Sequence, residues 1–329
     1  MLDLITGYWS SQLVFVAARL GLVDALATRP LTPEALAKRV GAHAPSLRRV
    51  LRALASLGVV AETTGGRFRL TSLGATLRSG QPGSLRDFAL MMIDDYNWSA
   101  WAGLLDGVTS GALAFDRVHG MPIFAWLRQH PDKERIFAAS MASISSVENP
   151  AIARAYDFGR LGSIVDVGGA HGHLLATVLR RHRRLRGILY DQPQVVAGAA
   201  AAGFVTAPDI AARCQVVGGD FFASVPAGAD AYMMKYIIHD WDDERSLCIL
   251  RNCREAMAAG GRVLVVDHVI PPGNARSWGK LLDVNMLALT GGLERTREEF
   301  RDLLARAGLR LRRIVPTACP LSIVEAVAA

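Results

Sequence analysis

The sequence predicts an α/β protein, with a Rossmann-like and mostly parallel sheet covered by helices behind a helical domain of winged-helix pattern. Three observations predict it. Strands and helices alternate from Gly162 onward, as they do in a parallel sheet with both faces covered. A glycine-rich turn, Gly-Gly-Ala-His-Gly at 168–172, joins the first of those strands to its helix. Ahead of them, residues 31–77 read as helix, helix and two-stranded hairpin. With 329 residues and 51% hydrophobic content the chain can bury a large core, and two domains are expected, at 1–92 and 93–329, the second opening with a helical segment at 93–158.

A net charge of +7 and a pI near 9.6 are compatible with anionic partners, but only 20% of residues are charged and no long basic run occurs. Neither a nucleic-acid nor a membrane partner is expected. The four cysteines, Cys214, Cys248, Cys253 and Cys319, show neither CxxC spacing nor a disulfide framework, which fits a reducing cytoplasm. Arg19 and Asp24 interrupt the apolar N-terminal run, so it reads as neither signal peptide nor membrane span.

Residues 1–27 carry apolar positions at Leu13, Val16, Ala17, Leu20, Val23 and Leu26, close to a helical period with Gly21 as the weak point. Burial against another subunit and burial on the same chain are both open readings. Pro33 opens the next helix and Gly41 stops it; Pro45 opens another, with Leu47, Val50, Leu51, Leu54 and Leu57 on one face. VVAETTGGRFRLT then forms the hairpin, Gly65-Gly66 in its turn. Arg48, Arg49 and Arg52 occupy positions that a recognition helix would use, and the competing reading, a solvated face on a packing module, is preferred. Residues 87–156 are helical and rich in Met and aromatics, among them Met91, Met92, Trp98, Phe137 and Met141. Each alone reads as core; together they suit the wall of a pocket for a planar aromatic ligand.

In the second half, Ser163–Val167 is the first strand. A dinucleotide fingerprint needs glycine at the third and sixth positions of the turn, where Ala170 and His173 stand. The alternative acid-x-G-x-G-x-G loop of S-adenosylmethionine enzymes is met by Asp166, Gly168 and Gly172, with Ala170 in the middle slot. The second strand ends at Asp191, nineteen residues after Gly172, where a carboxylate can accept from ribose hydroxyls. The third ends in Gly218-Gly219-Asp220-Phe221-Phe222, an acid for an adenine amino group and an aromatic to stack on its ring. A second acid at a strand end favours S-adenosylmethionine over a nicotinamide dinucleotide. The fourth strand runs into Lys235 and breaks at His239-Asp240-Trp241, just past its carboxyl end, where such sheets place ligands. An imidazole there is a candidate general base. Asp242, Asp243 and Glu244 read as helix-start acids rather than as a metal site. A fifth strand ends at Asp267, the helix near 280–290 carries Asn285 and Met286 toward a substrate, and two terminal strands form an antiparallel pair.

These segments, VDVGGAHG at 165–172, GDFF at 219–222, KYIIHDWDDE at 235–244, LRNCREA at 250–256 and GGLERTREEF at 291–300, resemble the small-molecule O-methyltransferases of the plant caffeate and bacterial natural-product type. The resemblance covers essentially the whole chain. It implies a class I methyltransferase sheet, a winged-helix dimerisation domain and hence a homodimer, S-adenosylmethionine as cofactor, no metal, and a small aromatic substrate. Gly168, Asp191, Gly219, Asp220, Phe221 and Lys235 would contact the cofactor. His239 would be the base, flanked by Asp267 and Glu294. Met91, Met92, Trp98, Phe137, Met141, Asn285 and Met286 would line the substrate pocket. Two departures stand out: Ala170 replaces a usual glycine, and Asp267 stands where plant members carry Glu, a methylene shorter.

The chemistry reads the same way from first principles. Transfer of a sulfonium methyl needs an electron-rich oxygen aligned behind it, and a phenol becomes far more nucleophilic once deprotonated. Glu294 can hold the second ring nitrogen of His239 and fix its tautomer. Two alternatives stay open: an N-methylating or non-methylating enzyme of the same fold, and a winged-helix regulator that senses a ligand.

Overall fold

The apolar N-terminal stretch folds as Leu2–Ile5, Gly7–Arg19 (α1) and Leu22–Ala25 in the computed structural model, which describes residues 1–329. Gly21 separates the last two by taking a left-handed conformation, φ 65°, that a side chain would resist. Thr32 caps α2 (Pro33–Val40) by accepting from the amide of Ala35, and Gly41 closes it. α3 (Ala44–Ser56) buries Leu47, Leu51 and Leu54 and leaves Arg48, Arg49 and Arg52 exposed. The wing follows as an antiparallel pair, β1 (Val60–Thr63) and β2 (Arg67–Leu70), with Val60 opposite Leu70. Leu22, Leu36, Leu51, Leu54 and Phe68 form its core.

The chain divides into two compact units, Met1–Ala102 with Phe124–Ser146 and Gly103–Ile123 with Val147–Ala329. The helical stretch between winged helix and sheet is shared between them, and the division falls inside its last and longest helix, α4 (Pro131–Ala155).

The second unit is built on β3 (Ser163–Val167), α5 (His173–Arg181), β4 (Arg186–Asp191), β5 (Cys214–Gly218), β6 (Ala231–Lys235), α6 (Asp243–Ala256), β7 (Arg262–Asp267), β8 (Val269–Ile270), α7 (Trp278–Leu289), β9 (Arg295–Thr296), α8 (Arg297–Arg306), β10 (Leu309–Pro316) and β11 (Ser322–Ala328). Seven strands form one sheet in the order β10-β11-β7-β6-β3-β4-β5, with only the β10–β11 and β11–β7 pairings antiparallel. Residues alternate between its faces: Ile164, Leu189, Met233 and Leu264 pack into one core, Val165, Tyr190, Tyr232 and Val263 into the other. Strand order reverses beside β3, because β4 and β5 lie on one side of it and β6 and β7 on the other. That switch point opens a crevice at the carboxyl ends of the five parallel strands. The residues that follow those ends are Gly168, Gln192, Gly219, Tyr236 and His268. Separately, β8 and β9 form a two-residue parallel bridge, Val269 opposite Arg295 and Ile270 opposite Thr296. It ties the chain just after Asp267 to the chain just after Glu294.

Candidate active site

The glycine turn after β3 is shaped by contacts that a side chain would violate. A Cβ on Gly168 would lie 2.4 Å from Ile237 Cδ1, and one on Gly172 2.4 Å from Val205 Cγ1; both residues also have positive φ, at 68° and 80°. Ala170, in the slot expected for a glycine, keeps the left-handed conformation at φ 49°. Its amide donates to Asp191 Oδ2 at 2.8 Å, and Gln192 donates to Asp191 Oδ1 at 2.7 Å. Burial pushes the Asp191 carboxyl above its usual range while these two amides oppose it. Asp166 lies beneath the turn, its carboxyl 2.7 Å from where a Cβ on Gly169 would be, and burial raises its pKa to about 7.

At the end of β5, Gly219 passes so close to Tyr190 that a Cβ would stand 2.3 Å from the phenol oxygen. Asp220 is exposed and accepts from the Phe222 amide at 2.9 Å. Asn252 Nδ2 fixes the loop by donating to the carbonyls of Phe221 and Phe222 at 2.8 and 3.0 Å. Glycines in close backbone turns, a carboxylate at each of two neighbouring strand ends and the half-buried ring of Phe221 are the features that a nucleoside requires, so the residues present fit S-adenosylmethionine.

Lys235 does not stand alone at the end of β6. Its Nζ is 2.7 Å from Glu148 Oε2 and donates to Asn149 Oδ1 at 3.1 Å, both residues projecting from the last turns of α4. Tyr236 follows in a left-handed conformation, φ 57°, and its hydroxyl donates to Glu148 Oε1 at 2.7 Å. Nothing in the sequence singled out Glu148 and Asn149; the only available signal was a pair of polar residues placed where the helix is otherwise apolar or small.

His239 lies in a short turn, Ile238–Asp240, just beyond β6, buried at 8% exposure. Its Nδ1 is 2.7 Å from Glu294 Oε1, and its Nε2 is 3.6 Å from Asp240 Oδ1. The Tyr236 ring covers it at 5.0 Å between centroids. Burial alone would lower the imidazole pKa; Asp240, the bond from Glu294 and the charge of Asp267 outweigh it and raise the pKa to about 9. Glu294 is itself buried and held from behind, since its amide donates to Asp283 Oδ1 at 2.9 Å. The glycine ahead of it matters equally: a Cβ on Gly292 would fall 2.0 Å from the His239 carbonyl oxygen.

Asp267, expected to flank His239, makes its contact elsewhere. Its Oδ1 accepts from the Tyr236 amide at 2.9 Å, its Oδ2 is buried without a partner, and it makes no hydrogen bond to the imidazole. The short side chain reaches the backbone before the ring, and burial raises its pKa to about 7. Asp240, for which the sequence indicated no role of its own, is the carboxylate that stands beside Nε2. Asn285 and Met286 are both buried on α7 in this unit. In the other unit Met91 is buried, Met92, Phe137 and Met141 are half-buried, and Trp98 is exposed.

Both parts of the chain match known proteins. Residues 101–310 match an O-methyltransferase domain, and residues 2–80 match an O-methyltransferase dimerisation domain. The chain is 45% identical to a phenazine O-methyltransferase, PhzM, of Lysobacter antibioticus, over 99% of this chain and 95% of that protein. It superposes with a TM-score of 0.91 on the crystal structure of CalO1, a methyltransferase in calicheamicin biosynthesis, in its SAH-bound form, at 41% identity and covering 100% of this chain and 97% of that one. A phenazine-1-carboxylate N-methyltransferase of Pseudomonas aeruginosa is 33% identical over 96% of this chain and 92% of its own. With a dimerisation domain in front and a catalytic domain behind, this chain belongs to the O-methyltransferase family and is an S-adenosylmethionine-dependent enzyme of it.

Proposed function

We propose that the enzyme methylates a hydroxyl group on a small planar aromatic substrate, with His239 taking the hydroxyl proton. The observation that carries this reading is the pairing of His239 Nδ1 with buried Glu294 at 2.7 Å, which fixes the tautomer and turns Nε2 into the free base. S-adenosylmethionine, when bound, supplies an electrophilic methyl group on a sulfonium. Gly168, Asp191, Gly219, Asp220, Phe221 and Lys235 are the residues proposed to hold it. Asp240 beside Nε2 stabilises the imidazolium that forms, and Tyr236 presents its ring face to that cation. Asp267 holds the strained Tyr236 backbone and acts on His239 by charge only. Substrate contacts are proposed for Asn285 and Met286 and, in the other unit, for Met91, Met92, Trp98, Phe137 and Met141. The relatives named for phenazine and calicheamicin chemistry support a planar natural-product acceptor.

A pKa near 9 suits this base to a phenol, whose own pKa is about 10. The sign follows directly: the neutral imidazole that accepts the proton is populated only as pH rises toward that value, so the rate climbs on the acid side. In the test, His239→Gln is assayed with a phenolic acceptor while S-adenosylmethionine binding is measured by calorimetry. Cofactor affinity is expected to hold and turnover to fall by about 10² to 10⁴; turnover near the parent rate overturns the reading. A second reading, transfer to a ring nitrogen, is favoured by the N-methylating relative. Such a nitrogen carries no proton to remove, so His239→Gln would stay active on it.

A further inference from the structure

Arg295 is the largest side chain buried in full anywhere in the chain, at 1% exposure, and neither proton transfer nor cofactor binding uses it. Its guanidinium faces one counter-ion, Asp243, among several neutral acceptors. One nitrogen, Nη1, donates to the carbonyl of Ile238 at 3.1 Å; the other, Nη2, donates to the carbonyl of Trp241 at 3.2 Å, to Asp243 Oδ1 at 2.9 Å and to Ser246 Oγ at 3.4 Å. Ile238 and Trp241 are the residues immediately before His239 and immediately after Asp240. The fork therefore closes across the turn that carries His239 and Asp240, the carboxylate beside Nε2. Its neighbour Glu294 holds the ring of the same histidine, and Gly292 lies against the His239 carbonyl. Three residues of one short segment thus fix the side chain, the backbone and the outer edge of a single turn. The β8–β9 bridge, in which Arg295 pairs with Val269, ties that segment to the end of the main sheet.

From this geometry we infer that Arg295 is a positioning residue for methyl transfer, one that sets the His239 turn at the distance where Glu294 and the acceptor hydroxyl reach opposite nitrogens of one ring. Only a planar guanidinium serves here. A lysine is a point charge on a flexible stem and cannot span two carbonyls, a hydroxyl and a carboxylate at once. Burial of so large a cation is costly, and the partners it reaches lie on either side of the base rather than across a core interface. The inference rests on His239 as the base.

The test compares Arg295→Lys, Asp243→Asn and Arg306→Ala in the full-length enzyme, with turnover, the Michaelis constant for S-adenosylmethionine and the pH–rate profile measured for each. Arg295→Lys is expected to lower kcat by tenfold or more, to leave the Michaelis constant for the cofactor within about twofold, and to move the acid limb to lower pH, because a His239 less tightly held by Glu294 loses its proton more readily. A lowered melting temperature with kcat and limb unchanged would overturn the inference. Should Arg295→Lys fail to fold, Asp243→Asn decides: it removes the charge of the half-buried partner but keeps its shape, leaves the guanidinium its two carbonyls and the Ser246 hydroxyl, and is expected to move the limb in the same direction with a smaller loss of rate. Arg306, which bridges Asp243 and Glu244 from α8, touches no part of the His239 turn. Arg306→Ala should keep kcat, and an equal loss there would reduce Arg295 to a stabiliser of α6. The His239→Gln assay separates the two claims. An active His239→Gln removes the base and this inference together, whereas an inactive one beside an unperturbed Arg295→Lys removes only the positioning role.

Discussion

Ala170 and His239 show what individual residues contribute and how much of that was readable. Ala170 was recognisable as a departure from a glycine slot, and it holds the left-handed conformation regardless, because its amide is needed by Asp191. A Cβ in that conformation costs about 1 to 2 kcal/mol. Ala170→Gly is therefore expected to stabilise the protein by about 1 kcal/mol in thermal unfolding, with the loop geometry kept; a destabilised variant would show that the strain is absent. The pairing of His239 with Glu294 was legible because a candidate base calls for a carboxylate on its second nitrogen wherever the two lie in sequence. Asp240, Glu148 and Arg295 were not. Their roles depend on which way a side chain leaves a turn or a helix, and no periodicity encodes that. Asp267 was expected to flank His239, and its charge does act on the imidazole; whether it bonds the ring was not legible, and its short side chain bonds the Tyr236 amide instead.

Among elements, strands and their ends were the most readable, because buried parallel strands appear as continuous apolar runs ending in Gly or Asp. The two-residue β8–β9 bridge was invisible to that logic, being too short to carry a pattern, and yet it sets the position of the Gly291–Arg295 segment. The close approach of that segment to the His239 turn leaves no room for a side chain at Gly292. Gly292→Ala should cost more than tenfold in kcat with cofactor affinity kept, as measured by steady-state kinetics and calorimetry, since a shift of about 1 Å at a reacting group costs on the order of 10² in rate. The N-terminal helices show the complementary case. Leu2, Leu4, Ile5, Tyr8 and Trp9 are exposed, and a run of apolar surface in a dimerisation domain is what a second subunit would cover. Leu4→Glu with Trp9→Glu is expected to convert a homodimer, twice 35.4 kDa by light scattering, into monomers, and an unchanged mass would place the interface elsewhere.

For the whole molecule, the sheet order brings five strand ends to one edge and so assembles residues spread from Gly168 to Glu294 into one neighbourhood. That assembly was foreseeable from the alternation of strands and helices together with the handedness of their connections. That the helical stretch hands over from one unit to the other was legible, but not where it divides, because a helix running from one into the other has no composition break to mark the place. The proposed chemistry draws on side chains alone, so turnover is expected to be the same in EDTA as in added magnesium, and a requirement for the metal would displace His239 from its role. The central claim is that an imidazole held by Glu294 removes the acceptor proton. Its most direct test is the rate of a single methyl transfer to a phenolic acceptor, followed against pH at saturating S-adenosylmethionine in the parent and in His239→Gln. The parent rate should rise about tenfold per pH unit and level off near pH 9, with the variant at least 10²-fold slower and lacking that limb; coincident profiles for the two enzymes would contradict it.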